Sequence, residues 1–276
     1  MGAEGLSGAS VGARVVVRHL IEDGARATDL LGELAHRDAE TITVRTRRGP
    51  VTVALEDVVV AKVVPAVTGR GWRVAAFLRR AGVAVLDLDG VLRTFDTDGE
   101  LGRAGQALGM GPGELLELAF ALPEARAMVV GRACHADWMA AVRRRLLEAH
   151  PGEAVEHLVA TWLADHGTPV AATVGLVDEL LDAGTPVFVF TNGTDRVPEE
   201  LVRMGLERLV PTLLNAHDLG SAKPDPEAYA AAHAEIERHL ARVVGRAEVH
   251  FTDDRPDNVD AARAFGWQAR VFTPER

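Results

Sequence analysis

VAVLDLDGVLRTFD, Val83 to Asp96, is the stretch on which the fold turns. Val83, Ala84, Val85 and Leu86 are apolar at consecutive positions, the pattern of a parallel strand buried on both faces between helix layers. Open parallel sheets present their ligands at the carboxyl ends of the strands. This strand ends by placing Asp87 and Asp89 two residues apart, ahead of Gly90. Two carboxylates so placed repel one another and lose water, which costs stability unless a cation or an anion's counter-ion joins them. Asp-Gly is also a common turn dipeptide, so the pair alone leaves a plain turn open.

Three further stretches have a related form. VFVFTNGT ends a second apolar run in Thr191 and Asn192, followed by Gly193, which lets backbone N–H groups approach an anion. SAKPDP places Lys223 just before a proline-initiated helix, and VHFTDDRPDN reads as a third strand ending in Asp253 and Asp254. Singly these are a turn, a solvated helix approach and a helix cap. Together they describe three strands whose polar ends would meet at one edge of a parallel sheet. Lysine is scarce here: of 30 basic residues only Lys62 and Lys223 are not arginine. A compact ammonium at position 223 therefore suggests selection for its chemistry, as a phosphate oxygen requires.

In DLDGVL, FTNGT, SAKPDPEAY and FTDDRPDNVDAARAFGW the chain resembles the haloacid dehalogenase superfamily, in the branch with a helical cap inserted after the first motif. The resemblance covers about Val83 to Arg276. It implies a doubly wound α/β core with a parallel sheet, Asp87 as nucleophile and Asp89 as general acid and base. It also implies Thr191, Asn192 and Lys223 at the phosphate. Mg²⁺ would be held by Asp87, the Asp89 carbonyl and Asp254, with Asp253 in direct or water-mediated contact. Elementary electrostatics agrees with these roles. A carboxylate attacking a phosphate dianion meets about 4 kcal/mol of repulsion per pair of unit charges at about 4 Å, which a divalent cation and an ammonium offset. Oxygen-only ligands suit Mg²⁺. Dehalogenases of the superfamily lack the second aspartate and need no metal, so Asp89 favours phosphoryl transfer.

The rest of the chain frames this core. Its 276 residues suffice for one large α/β domain or two smaller units. The net charge of −10 argues against a general nucleic-acid binder. Cys134 is the only cysteine, so no internal disulfide can form, which fits a reducing cytoplasm. No apolar run reaches the length of a membrane span, and MGAEGLSGAS has no signal-peptide pattern. The arginine, alanine and glycine usage is that of a GC-rich bacterial genome. Before the core, ARVVVRHL, TITVRT, VTVALE and VVVAKVV read as short strands, with RRGP as a hairpin connection. They resemble the Src-homology-3-like barrel found ahead of acetyltransferase domains in some actinobacterial proteins, which implies no activity but leaves room for a binding partner. AVTGRGW, Ala66 to Trp72, reads as a linker, and RVAAFLRRAG as a short amphipathic approach to the first core strand.

The expected organisation is therefore a small β-barrel over residues 1–68, a core over 76–97 and 171–276, and a helical cap over 98–170. In the cap, LGRAGQAL, GELLELAFAL, HADWMAAVRRRLLEAH and EAVEHLVATWLADH repeat apolar residues at helical spacing, punctuated by Pro112, Pro123 and Pro151. Arg143 to Arg145 read as a solvated face, Trp138 and Trp162 as cap core, GMGPG near Gly109 as a helix break, and the ten histidines as surface or satisfied structural residues. Arg93 stands where many relatives carry smaller or acidic groups, and is open between a substrate contact and a solvated side chain. The expected activity is Mg²⁺-dependent hydrolysis of a small phosphorylated metabolite through an aspartyl-phosphate. A phosphomutase with the same four motifs, or a binding protein acting through the barrel, are the alternatives.

Overall fold

A computed structural model describes residues 12–21, 26–38, 40–46, 49–63, 72–96, 99–111 and 113–274. The start MGAEGLSGAS and nearly all of the expected linker at 66–72 lie outside these residues. The chain divides into two compact units, Met1–Arg70 and Gly71–Arg276.

The first unit is a five-stranded antiparallel sheet made of β1 (Arg14–Ile21), β2 (Arg26–Arg37), β3 (Thr41–Thr46), β4 (Gly49–Ala54) and β5 (Val58–Val63), in the order β4-β3-β2-β1-β5. Its core is apolar and β-branched: Val15, Val17, Leu34, Ile42, Val44, Val53 and Val58 are buried. A single 3₁₀ turn, Leu55–Asp57, joins β4 to β5. Strand β2 has no counterpart among the strands expected from sequence. Its RATDLLGELAHR is rich in Leu and Ala, and a register shift between Leu34 and His36 breaks the two-residue alternation. Hydrogen bonding to strands on both sides overrides that weak local preference. Gly32 is required within it, since a Cβ there would sit 2.2 Å from the Arg45 carbonyl oxygen.

The second unit is a parallel sheet with helices on both faces. Its strands are β6 (Val83–Leu86), β9 (Val187–Thr191), β10 (Leu213–Asn215), β11 (Val249–Asp253) and β12 (Gln268–Val271), in the order β10-β9-β6-β11-β12. All four neighbouring pairs are parallel. Alternate side chains enter two separate cores. Ala84, Leu86, Val187 and Val189 pack with α1 (Arg73–Leu78), α7 (Ala171–Asp182) and α8 (Val197–Arg203). Val83, Val85, Phe188 and Phe190 pack with α10 (Pro226–Leu240) and α11 (Pro256–Phe265). This is why the central strands β6 and β9 read as unbroken apolar runs: both of their faces are covered. The short edge strand β10, expected as loop, and helix α7 complete the alternation.

Between β6 and α7 the chain leaves the core through a two-stranded antiparallel stem, β7 (Arg93–Thr94) and β8 (Thr168–Pro169). Among the described residues the stem carries five helices: α2 (Glu100–Ala107), α3 (Glu114–Ala121), α4 (Pro123–Val129), α5 (His135–Leu147) and α6 (Gly152–Ala164). They enclose their own core of Leu115, Met128, Trp138, Val142, Leu146 and Leu158, among others. The breaks fall where glycine permits them, with Gly109 and Gly113 at positive φ. Arg143, Arg144 and Arg145 form exposed ion pairs with Glu156, Glu124 and Glu148, the solvated face expected of them. No helix among the described residues is long and apolar enough to cross a membrane.

Candidate active site

Strands β9, β6 and β11 are neighbours, and the chain adds β9 and β10 on one side of β6 before crossing to β11 and β12 on the other, so their carboxyl ends border the crevice at which open α/β sheets bind ligands. Asp87 follows β6, Thr191 closes β9 and Asp253 closes β11. Lys223 comes from the loop between α9 (Ala216–Leu219) and α10. Its side chain is almost wholly buried, and its ammonium donates to Asp87 Oδ1 at 2.9 Å, Asp253 Oδ2 at 2.6 Å and the Phe190 carbonyl at 2.8 Å. Asn192 helps hold it there. The Asn192 carboxamide donates to the Lys223 carbonyl and accepts from the Lys223 N–H, at 2.8 and 2.9 Å. The side chain expected at the phosphate is thus engaged in fixing the lysine loop.

Asp87 Oδ1 also accepts the Leu88 N–H at 2.8 Å. Burial pushes the Asp87 carboxyl up to about 7, against the pull of Lys223, and the neighbouring Asp253 and Asp89 push it the same way. Asp253 is fully buried and held from three sides: by Lys223, by the Arg255 N–H at 2.9 Å, and by the Asn258 amide at 3.0 Å from each carboxylate oxygen. Asp254 lies beside it and is exposed, its carboxyl raised by partial burial and by the charge of Asp253. Oxygens of Asp87, Asp253 and Asp254 all lie within 4.8 Å of one another. Three carboxylates this close, with one ammonium among them, form an all-oxygen donor set that fits a hard divalent cation.

Gly90 belongs to the same geometry. Its φ is +81°, and a Cβ there would fall 2.4 Å from Asp254 Oδ2. The glycine after Asp89 therefore both makes the turn and clears space for a carboxylate from another strand.

Asp89, half-buried, points along a different line. Arg93 reaches back to it, with Nε donating to Oδ1 at 2.5 Å and Nη2 to Oδ2 at 3.4 Å. The other face of the same guanidinium donates to Glu200 Oε2 at 2.6 Å. Arg93 is thus neither solvated nor free for substrate: it is buried, and it bridges Asp89 to a glutamate on α8. Sequence reasoning missed Arg93 and Glu200 in this role, and Asn258 as the partner that holds Asp253. Glu200 is separated from Arg93 by 107 positions, so no local pattern links them. Asn258 had a signal, five residues after Asp253 and in the first turn of α11, where a side chain reaches back over the strand end.

Above Asp89 the cap and core enclose a cavity of about 320 Å³, lined by the loop Asn192–Gly193–Thr194 below and by aromatic cap residues above. Trp138 and Trp162 do pack the cap, with rings 5.5 Å apart and nearly perpendicular, but both also face this cavity. The cap is tied to the core by main chain. The His135 N–H donates to Asp195 Oδ1 at 2.7 Å, and Gly131 runs so close to the core that a Cβ on it would lie 2.2 Å from the His217 carbonyl oxygen. The His217 ring in turn bonds the Met128 carbonyl at 2.9 Å, and His233 and His250 also bond backbone carbonyls, the structural role expected of them.

Residues 81–266 match the family model for haloacid dehalogenase-like hydrolases, and residues 9–62 match that for the Rv0428c N-terminal Sm-like domain. The small barrel expected from sequence is therefore Sm-like. Among solved structures, a magnesium and inorganic phosphate complex of a HAD family enzyme from Bacteroides thetaiotaomicron is 17% identical, with a TM-score of 0.51, over 70% of this chain and 93% of that one. A HAD-like family hydrolase from Porphyromonas gingivalis is 18% identical, with a TM-score of 0.51, over 70% and 91%. A structure described as a dehalogenase is 20% identical, with a TM-score of 0.51, over 68% and 82%. No curated protein matches the sequence.

Proposed function

Because the chain belongs to the haloacid dehalogenase-like hydrolase family and is therefore an enzyme, we propose that it hydrolyses small phosphomonoesters, with Asp87 as nucleophile and with Mg²⁺ as cofactor. The observation that supports this most directly is the meeting of Asp87, Asp253 and Asp254 within 4.8 Å beside Lys223, with a second aspartate, Asp89, on the cavity side. Asp87, Asp253 and Asp254 would hold the cation, together with the Asp89 carbonyl. When bound, it neutralises the phosphate dianion and the carboxylate that attacks it.

The chain's own residues account for the steps. Asp87 attacks phosphorus, and the bond from phosphorus to the alcohol oxygen breaks as Asp89 donates a proton to that oxygen. The resulting aspartyl-phosphate is resolved when Asp89, now a carboxylate, takes a proton from water. That water attacks phosphorus and releases Asp87 and inorganic phosphate. Lys223 and Thr191 hold the phosphoryl oxygens, and the Arg93 guanidinium keeps Asp89 aimed at the alcohol side. Displacement of halide from carbon would expel an anion that needs no proton, so the acid role of Asp89 would have no counterpart in that step.

Purified protein with Mg²⁺ should release inorganic phosphate from a panel of phosphomonoesters and no halide from 2-haloacids. Halide release that persists in EDTA, or retention of the phosphoryl group on the organic product as in a mutase, would overturn hydrolysis of phosphomonoesters as the activity.

A further inference from the structure

The cavity under the cap lies on the side of Asp89, where the alcohol half of a phosphomonoester must sit, and its lining has a distinct chemistry. Phe95, Leu116, Phe120, Met128, Trp138 and Trp162 form most of its upper wall. Phe120 is 57% exposed, Phe95 43% and Leu116 37%, an unusual amount of water contact for large apolar side chains gathered in one place. Such a concentration marks a binding surface more than a packing accident. The rings also form an open corner: Phe120 lies 5.1 Å from Trp138, and Trp162 meets Trp138 edge to face. A further ring placed in that corner would gain the same edge and offset contacts.

The charged groups of the lining are already engaged. Arg93 is taken up by Asp89 and Glu200. Arg196 donates to the Leu163 carbonyl at 3.0 Å and lies 3.8 Å from Glu200. The His135 ring is held toward its neutral form by burial and by Arg196. Asp165 accepts the Gly167 N–H, and Asp96 adds a second negative group at the rim. Among the described residues of the cavity, no cation is left over for a second phosphate or a carboxylate. The hydroxyls of a sugar would lose water here against rings that return no hydrogen bonds.

From this we infer that the cavity selects an uncharged, ring-bearing apolar alcohol, so that the enzyme prefers monophosphates of arylalkyl alcohols to those of sugars and nucleosides. The inference rests on the phosphomonoesterase activity proposed above and adds the substrate class.

The test compares kcat/KM of the full-length protein with Mg²⁺ for 2-phenylethyl phosphate, ethyl phosphate, glucose 6-phosphate and adenosine 5′-monophosphate. All four release a poorly leaving alkoxide, so differences report binding of the alcohol more than activation of the leaving group. Burial of one ring predicts a preference for 2-phenylethyl phosphate over ethyl phosphate of at least about tenfold, with the sugar and nucleoside phosphates below it. Phe120→Ala, at an exposed position whose truncation leaves the fold intact, should lower the ratio of phenylethyl to ethyl phosphate about fivefold. Glucose 6-phosphate or adenosine 5′-monophosphate turned over as well as 2-phenylethyl phosphate would overturn the substrate class and leave the phosphatase activity standing. A folded Phe120→Ala protein with an unchanged ratio would also overturn it. Phosphate release from none of the four, with halide release from a 2-haloacid, would overturn the underlying activity as well.

Discussion

At the floor of the chamber, Lys223 spans Asp87 and Asp253, Asn258 holds both oxygens of Asp253, and Arg93 ties Asp89 to Glu200. Under the cap the opposite holds: Phe95, Leu116 and Phe120 keep much of their apolar surface in water, and no hydrogen bond fixes their side chains. The floor is a set of charges whose positions are over-determined by one another, so it is pre-organised for one reaction. The wall above is held in place by the cap's core and presents area without direction. Chemistry that must be aimed is built from paired ions, whereas on the proposed reading discrimination among alcohols is left to dispersion and shape.

Substitutions that break the floor should therefore act on turnover far more than those that alter the wall. Asp87→Asn should lower kcat by at least about 10⁴-fold, since an amide cannot form the acyl-phosphate. In EDTA its Tm should equal or exceed that of the parent chain, because a carboxyl that burial already holds up to about 7 is replaced by a neutral group. Retained turnover would remove Asp87 from the mechanism.

Lys223→Met comes next. It strands Asp253, and Asp87 above about pH 7, without their cation, and loss of one partner from a buried pair costs about 3–5 kcal/mol. Urea denaturation in EDTA should show that loss, and Mg²⁺ should recover part of it. A loss as small as that of an exposed ion pair would mean the carboxylates are not charged together in the folded chain.

Metal addition sharpens the same point through pH. The Asp87 carboxyl is raised from 3.8 to about 7 in the fold, so between those values the native chain without metal binds more protons than the unfolded chain, and its stability falls as pH rises. A cation competes with that proton. The rise in Tm caused by Mg²⁺ should be larger at pH 8 than at pH 5.5, by a few degrees at a chain of this size. Equal rises at both values would exclude Asp87 as a ligand.

Arg93→Met should have a smaller effect, lowering kcat about 10- to 100-fold by releasing Asp89. The loss should be greater for an alkyl phosphate than for p-nitrophenyl phosphate, whose leaving group needs little protonation. Equal losses on the two would reduce Arg93 to a structural ion pair. Least of all, Phe120→Ala should change stability by no more than about 0.5 kcal/mol, as expected of an exposed position, while Trp138→Ala, buried and donating to the Ala119 carbonyl, should cost about 3–5 kcal/mol. Thermal unfolding of the two variants gives that contrast.

Much of the floor was legible in sequence because burial on both faces leaves a continuous apolar signature. Val83–Leu86 and Val187–Thr191 stand out as such, Val249–Asp253 less so with His250 inside it, and the polar residues that end them are local to the signal. Strand β2 was not, because its Leu- and Ala-rich stretch derives its conformation from the strands on either side. The link from Arg93 to Glu200 is likewise a product of tertiary structure, joining the cap stem to a core helix. The wall of the cavity escaped for a third reason. Trp138 and Trp162 have the spacing of cap-core residues and are cap-core residues; only the packing of five helices decides which edges of their rings remain uncovered.

The attachment of the cap bears on how such an enzyme can change over evolutionary time. Its height above the floor is set by the backbone of Gly131 against the His217 carbonyl, by the His135 N–H on Asp195 and by Arg196 on the Leu163 carbonyl, not by the apolar side chains that line the cavity. The apolar lining can therefore be rewritten residue by residue while the distance from ceiling to Asp87 stays constant. Descendants of this chain that retain Gly131 are free to drift toward new substrates through single substitutions at Phe95, Leu116 or Phe120. A side chain at Gly131 would instead move the whole ceiling at once, a change that selection on one substrate would seldom tolerate.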